Sequence, residues 1–338
     1  MRFVTYLNSQ NQPRLGLISH GSIIDTQEGI QWLNSSGSSS QGAGNLGMNL
    51  SPGHSLEIMT VIQNQTEWLP RFQALLAAHA EKKLPTGLCT PENQVRLLSP
   101  IPRPLSMRDG YAFRQHVEAA RRNRGVPMIP EFDHFPVFYF TNHLAVTGPG
   151  DISVQKLARE KLDFELEVAI VIGKECRNIS AAEADSVIFG YMVMNDWSAR
   201  HLQMEEMKLN LGPAKGKDFA TSLGPYLVTR DELEKYAIRG PNGAQHNLKM
   251  KAFVNGKQLS EGNLKDMSWT FAQIVERASY GVTLYPGEVI GSGTVGTGCL
   301  LELNGSKITD NLWLQPNDHV VMEVEALGRL ENRVVAVD

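Results

Sequence analysis

The segment Asp163-Phe164-Glu165-Leu166-Glu167-Val168-Ala169-Ile170-Val171-Ile172-Gly173 joins an alternating acidic stretch to an unbroken apolar run. Side chains on a strand alternate faces, so Asp163, Glu165 and Glu167 are expected on one face and Phe164, Leu166 and Val168 on the other. Same-face neighbours lie ~7 Å apart, and carboxylates that close repel. The run VAIVIG reads as a strand entering a core, where an unpaired carboxylate is costly. A divalent cation with oxygen ligands resolves that conflict. The plainer reading of the same alternation is a solvated polar face.

Further strands read outward from this one at 136–146, 187–195, 224–229 and 248–259, the last a hairpin turning at Asn255-Gly256. VIGSG, CLLELNG and HVVMEVEAL read as late strands. Helices are expected at 112–123, stopped by Gly125, and at 268–279. Ser180-Ala-Ala-Glu183 has the pattern of a capping box opening a short helix. Towards the N-terminus, 2–7 and 14–25 read as strands and 55–63 and 68–82 as helices. The Gly/Ser-rich stretch 34–53 reads as a mobile loop. Three prolines in 99–107 mark an extended boundary. Two domains follow: a small strand-rich one over 1–98 and a large one over 99–338. Strands outnumber helices and no regular βαβ alternation appears, so the class is α+β, mainly β, with curved or closed sheets.

The 338 residues suit about two domains at ~150 residues each. A hydrophobic fraction of 42% permits a sizeable core, and a formal net charge of -4 argues against a partner held by nucleic-acid phosphates. No run approaches the ~18 apolar residues of a membrane span. The N-terminal MRFVTYLNSQ lacks the apolar core of a secretory signal. Cys89, Cys176 and Cys299 are scattered, which excludes a disulfide framework and fits a reducing cytoplasm.

Three other motifs carry chemistry. In Met194-Asn-Asp196-Trp-Ser-Ala-Arg200-His-Leu-Gln203, Asp196 caps a helix starting near Trp197, or joins Arg200 and Gln203 in gripping an oxyanion. In Arg108-Asp109-Gly-Tyr111-Ala-Phe-Arg-Gln-His116, Asp109 is a candidate cap for the helix that follows, and His116 on its own is more readily a partly buried histidine with no task. Gly291-Ser-Gly293-Thr-Val-Gly296 matches G-x-G-x-x-G in letters. The segment after it reads as a strand and no βαβ unit surrounds it, so a dinucleotide site is rejected in favour of a Gly-rich corner. No G-x-S-x-G elbow is present, so a serine hydrolase has no support.

Together LDFELEVA, MNDWSAR, the later Gly216-Lys217-Asp-Phe219-Ala-Thr221 and the Ser292-Gly293-Thr294 turn resemble the fumarylacetoacetate hydrolase family, from about Arg108 to the C-terminus. The resemblance implies a mixed β-roll core and usually a homodimer. It implies a metal site at Asp109, Glu165, Glu167 and Asp196, with Thr221 near the metal. It implies an acid–base pair of His116 and Glu302. Arg200, Gln203 and Lys217 match substrate-side catalytic positions, and Tyr111, Tyr139 and Thr294 match further substrate contacts. Against the family pattern, the Asp196–Lys217 spacing is one residue longer, the Gly-rich loop before Glu302 is shorter, and His201 replaces an acidic residue.

Hard oxygen ligands favour Mg²⁺ or Ca²⁺ over zinc. The implied activity is metal-dependent hydrolysis of a carbon–carbon bond in a small 2,4-dioxo acid, such as fumarylacetoacetate or an acylpyruvate, in aromatic or tyrosine catabolism. A decarboxylase, tautomerase or hydratase acting on a related oxo-acid is the alternative. A histidine after the first carboxylate ligand together with a late glutamate points to hydrolysis. A metal-stabilised binding protein without activity leaves Arg200, Gln203, Lys217 and His116 unexplained. Leu300, Leu301 and Leu303 suggest a buried strand around Glu302, and the pairing the resemblance implies would hold it there by a hydrogen bond to His116. Without the resemblance the plainer reading is an alternating strand with Glu302 facing solvent.

Overall fold

The computed structural model describes residues 1–36 and 55–338. The strand Leu166–Ile172 runs through the middle of its largest sheet, and every one of its residues is buried. It pairs antiparallel with Ile188–Asp196 on one side and Val289–Gly291 on the other. Beyond Ile188–Asp196 the sheet continues through Thr221–Thr229, Arg2–Leu7, Pro13–Ser19 and Ser22–Asp25. Beyond Val289–Gly291 come Met107–Gly110, in parallel, and Phe138–Phe140. The N-terminal strands therefore extend the same sheet that carries the acidic motif.

Both faces of the central strand are covered, which is why its apolar run does not alternate. Leu166, Val168, Ile170 and Ile172 enter one core with the helix Phe271–Ser279 and a second, five-stranded sheet. That sheet runs in the order Lys257–Asn263, Lys249–Val254, His319–Val324, Gly328–Ala336, Gly150–Val154. Ala169 and Val171 enter a second core with Phe3, Val61, Trp68, Phe72 and Leu75 from the N-terminal elements. The architecture is the expected strand-rich α+β class, with mixed sheets packed face to face.

Several local expectations change. CLLELNG is not a strand: Leu300–Gly305 is a helix with Cys299 at its N-cap. A short run of leucines around one glutamate fits either period, and here Leu300 and Leu303 are buried at helical spacing. The acidic strand is interrupted, Leu162–Asp163 pairing with Ser198–Ala199 before the central strand begins at Leu166. Asp163 therefore leaves the face shared by Glu165 and Glu167. Asp196 ends a strand instead of capping a helix, and the next helix, Arg200–Met207, starts after Ala199. Asp109 likewise lies on a strand, and its helix begins only at Arg114. Within 136–146 only Phe138–Phe140 and Val146–Thr147 are extended. Ser180 donates its hydroxyl to the Glu183 carboxylate and makes no cap bond. The capping box that does form is Thr270/Gln273, opening Phe271–Ser279.

The helices Ile58–Gln63 and Gln65–Ala80 lie close to expectation. The hairpin turns at Asn255 and Gly256, both at positive φ. Of the Gly/Ser-rich stretch 34–53, residues 34 and 35 close the helix Thr26–Ser35, and the part from 37 on lies outside the described residues.

Candidate active site

Three strands, and the break just before one of them, deliver four carboxylates to one buried point. Asp109 comes from Met107–Gly110, opposite Gly291 in the sheet. Glu167 comes from the central strand, Glu165 from the break just before it, and Asp196 from the end of Ile188–Asp196, opposite Thr221. Each offers an oxygen, and the four oxygens lie within 4.8 Å of one another. The Gly293 N–H donates to Asp109 Oδ1 at 3.0 Å and to Glu167 Oε2 at 3.1 Å. Gly293 has φ +78°, and a Cβ there would come 2.6 Å from the Gly110 carbonyl oxygen, so the turn requires glycine. Thr294 Oγ1 donates to Glu167 Oε1 at 3.3 Å, and Asn195 Oδ1 accepts the Glu165 N–H at 3.0 Å.

Two cations border this group. Lys217 Nζ donates to Glu165 and, at 2.8 Å, to Asp196 Oδ2, which also accepts the Tyr139 hydroxyl. The Arg200 guanidinium donates from Nη2 to Glu165 Oε1 at 2.6 Å, from Nη1 to Gln203 Oε1 at 2.9 Å and from Nε to Asp163 Oδ2 at 2.8 Å. Those bonds use three of its five N–H groups. With Asp163 included, five buried carboxylates face two buried cations.

The imbalance shows in the acidities. Burial, followed by the charge of Asp196, pushes Asp109 up to about 7. Burial, then Asp109 and Glu165, holds Glu167 well above the ordinary range. Asp196 is raised by burial against the pull of Lys217. Glu165 alone is lowered: burial opposes its charge, but Arg200 and Lys217 outweigh burial. Burial and the charge of Asp196 likewise raise the Tyr139 hydroxyl, so it stays protonated as a donor.

Asp196 Oδ1 is buried and, among the described residues, has no hydrogen-bond partner. Oxygen-only donors, surplus negative charge and an orphaned carboxylate oxygen together fit a hard divalent cation held by Asp109, Glu165, Glu167 and Asp196.

Beside this group stands a second one. His116, on the helix Arg114–Asn123, places Nδ1 2.7 Å from Glu302 Oε2, and both side chains are buried. With Glu302 ionised that bond requires Nδ1–H, which leaves Nε2 to accept a proton. The Thr297 N–H donates to Glu302 Oε1 at 2.9 Å. The turn 293–297 thus sends N–H groups to both carboxylate sets. The Tyr111 ring stands edge-on to His116, with centroids 5.8 Å apart.

The residues implied by the resemblance, with Thr221 opposite Asp196 among them, converge on this region, while Asp163 stands outside the four-carboxylate group. The sequence reading missed Asn195, the Gly293 and Thr297 N–H groups and the separate placement of Asp163. Asn195 was legible as the residue inside MND, while backbone donors leave no mark in composition. The G-x-G-x-x-G match also changes footing. A helix does follow it, but its first two N–H groups, Leu300 and Leu301, already donate to Asp163 and are taken from any phosphate.

Residues 106–335 match the sequence model described as fumarylacetoacetate (FAA) hydrolase C-terminal. The chain is 30% identical to the oxaloacetate tautomerase YisK of Bacillus subtilis over 72% of this chain and 74% of that one. It is also 30% identical to a mitochondrial oxaloacetate tautomerase of Homo sapiens, over 82% of this chain and 81% of that one. In fold it is similar to maleylpyruvate hydrolase from Sphingobium sp. SYK-6, solved with manganese(II) and pyruvate. The TM-score is 0.68 at 21% identity, over 100% of both chains. Among the described residues no helix is long and apolar enough to cross a membrane. With most of its length inside the family match and relatives aligned across both parts of the chain, this protein belongs to the fumarylacetoacetate hydrolase family of enzymes.

Proposed function

We propose that the chain is a divalent-cation-dependent tautomerase that interconverts the keto and enol forms of a small 2-oxo acid of the oxaloacetate type. The observation that carries this reading is a buried imidazole base, His116, standing next to four carboxylates suited to a cation. The oxaloacetate tautomerases at 30% identity support the reaction class over the hydrolysis first expected from the motifs. Mg²⁺, Mn²⁺ and Ca²⁺ all suit such oxygen donors. A bound cation supplies Lewis-acid polarisation of the 2-oxo acid's carbonyl and enolate oxygens.

In this reading His116 Nε2 removes a proton from the carbon beside the carbonyl, and the same proton returns to the enolate oxygen in the forward direction. Glu302 fixes the imidazole tautomer and stabilises the imidazolium between those transfers. Lys217 and the two remaining Arg200 N–H groups stabilise negative charge on the substrate. Tyr139, Tyr111, Gln203 and Thr294 border the space in which it is held.

Carbon–carbon hydrolysis of a 2,4-dioxo acid is the second reading, and the Glu302 contact favours it. Water is a far weaker acid than a carbon beside a polarised carbonyl, so a base strengthened by a carboxylate has more to do there. His116 would take a proton from water, the hydroxide would add to the distal carbonyl, and the bond would break to leave the enolate of the smaller oxo-acid. One experiment separates the two. Enzyme with Mg²⁺ or Mn²⁺ is given enol oxaloacetate or an acylpyruvate, and enol absorbance and products are followed together. Loss of enol absorbance without cleavage products supports the tautomerase; release of pyruvate and a carboxylic acid from the acylpyruvate supports the hydrolase. No cation-dependent change in either substrate contradicts both.

A further inference from the structure

We infer that Asp163 is a positioning residue that holds the Glu302 helix and Arg200 in one registration, keeping the His116–Glu302 pair aimed at the carboxylate group. The inference deepens the proposed function and rests on its reading of that pair. Asp163 is fully buried, yet it stands outside the four-carboxylate group. Its Oδ1 accepts the Leu300 N–H at 2.7 Å, and its Oδ2 accepts the Leu301 N–H at 2.9 Å and Arg200 Nε–H at 2.8 Å.

Leu300 and Leu301 open the helix Leu300–Gly305, whose own N-cap, Cys299, gives no side-chain cap bond. The cap comes instead from a strand more than a hundred residues earlier. A helix of this length does not hold itself together, so its place depends on what grips its ends. A carboxylate at its N-terminus satisfies two orphan donors and suits the helix dipole. Glu302 is the third residue of that helix, one position past the gripped pair. A shift of the first turn therefore moves the carboxylate that orients His116. The other arm of Asp163 runs through one guanidinium to Glu165 Oε1 at 2.6 Å. Charge-assisted bonds thus join the Glu302 helix to a cation-binding oxygen through two side chains, Asp163 and Arg200. A residue that merely neutralised Arg200 would not need both oxygens on the helix backbone.

The test is Asp163→Asn in the full, cation-loaded chain. This variant keeps the shape but turns one acceptor into a donor facing N–H groups. Two readouts are taken: the far-downfield His116 Nδ1 proton in the NMR spectrum, assigned by its loss in His116→Ala, and kcat and KM with oxaloacetate or an acylpyruvate. The expected result is a shifted or lost Nδ1 proton and a kcat lower by about 10- to 100-fold with KM little changed. An Nδ1 proton and kcat both as in the wild type, with only a lower melting temperature, overturn the proposal. If Asp163→Asn does not fold, Asp163→Glu is read in its place. It keeps the charge and misplaces the acceptors by one methylene, so a moved Nδ1 proton supports the proposal and unchanged readouts overturn it. A proton lost in the variant of an enzyme inactive on every 2-oxo acid supports the positioning role while refuting the proposed reaction.

Discussion

At the scale of the residue, the decisive feature is that His116 and Glu302 meet at 2.7 Å with no solvent between them. Residues acting as one unit lose activity together. His116→Ala and Glu302→Gln are each expected to lower kcat by about 100-fold or more, and the double variant little further than either alone. Steady-state kinetics on the four proteins checks this, and a double loss equal to the product of the single losses would separate the two residues. Glu167 carries the complementary prediction. Its carboxylate is one of four aimed at the same point, and burial, then the charges of Asp109 and Glu165, raise its pKa well above the ordinary carboxylate range. Glu167→Gln should weaken Mn²⁺ or Mg²⁺ binding by about 10-fold or more in calorimetry. It should leave the fold intact, because the neutral amide matches the carboxyl in shape and avoids an ionised group whose burial is costly without a cation.

At the scale of the element, the site hangs on short pieces whose conformation is set by distant partners. Gly293 is the sharpest case, with positive φ, an N–H shared by Asp109 and Glu167, and no room for a Cβ. Gly293→Ala is expected to cost about 1–3 kcal/mol of stability and to depress cation affinity. Thermal melts with and without cation check both. The same feature explains what was legible in the sequence. The central strand could be read because five consecutive apolar residues, Val168–Ile172, buried on both faces leave an unmistakable pattern. Glu165 and Glu167 could be read because clustered carboxylates beside an apolar run demand neutralisation, whereas Asp109 and Asp196, which read locally as helix caps, joined them only through the family resemblance. The Leu300–Gly305 helix was misread because its cap, Asp163, lies far away in the chain, and six residues cannot reveal their period. Asp163 was misplaced because the break at Phe164–Glu165 comes from pairing with Ser198–Ala199, which no local alternation announces.

At the scale of the whole molecule, the large sheet passes without a break from the N-terminal strands to the site, through Arg2–Leu7 and Thr221–Thr229. Phe3, Trp68 and Phe72 cover the face that Ala169, Val171 and Met192 present. Deleting residues 1–98 is therefore expected to expose that face and abolish a cooperative melt; an unchanged melting temperature for 99–338 would show that the large part stands alone. Acidity adds a global signature. Asp109 has a folded pKa of about 7 in the metal-free protein, above its unfolded value. A raised carboxyl stabilises the fold fully below the unfolded pKa, and that contribution is lost as pH rises through about 7. Glu167 and Asp196, also raised, act in the same direction. Chelated protein should thus melt at falling temperature from about pH 5 to pH 8, and a divalent cation should remove most of that fall. The central claim is cation-dependent proton transfer by His116 at the carbon beside a 2-oxo acid's carbonyl. The most direct measurement is deuterium exchange at that carbon, followed by NMR in D₂O with the cation-loaded enzyme. The account predicts exchange well above the cation-only rate, abolished by chelation and by His116→Ala. Exchange at the wild-type rate in His116→Ala would contradict it.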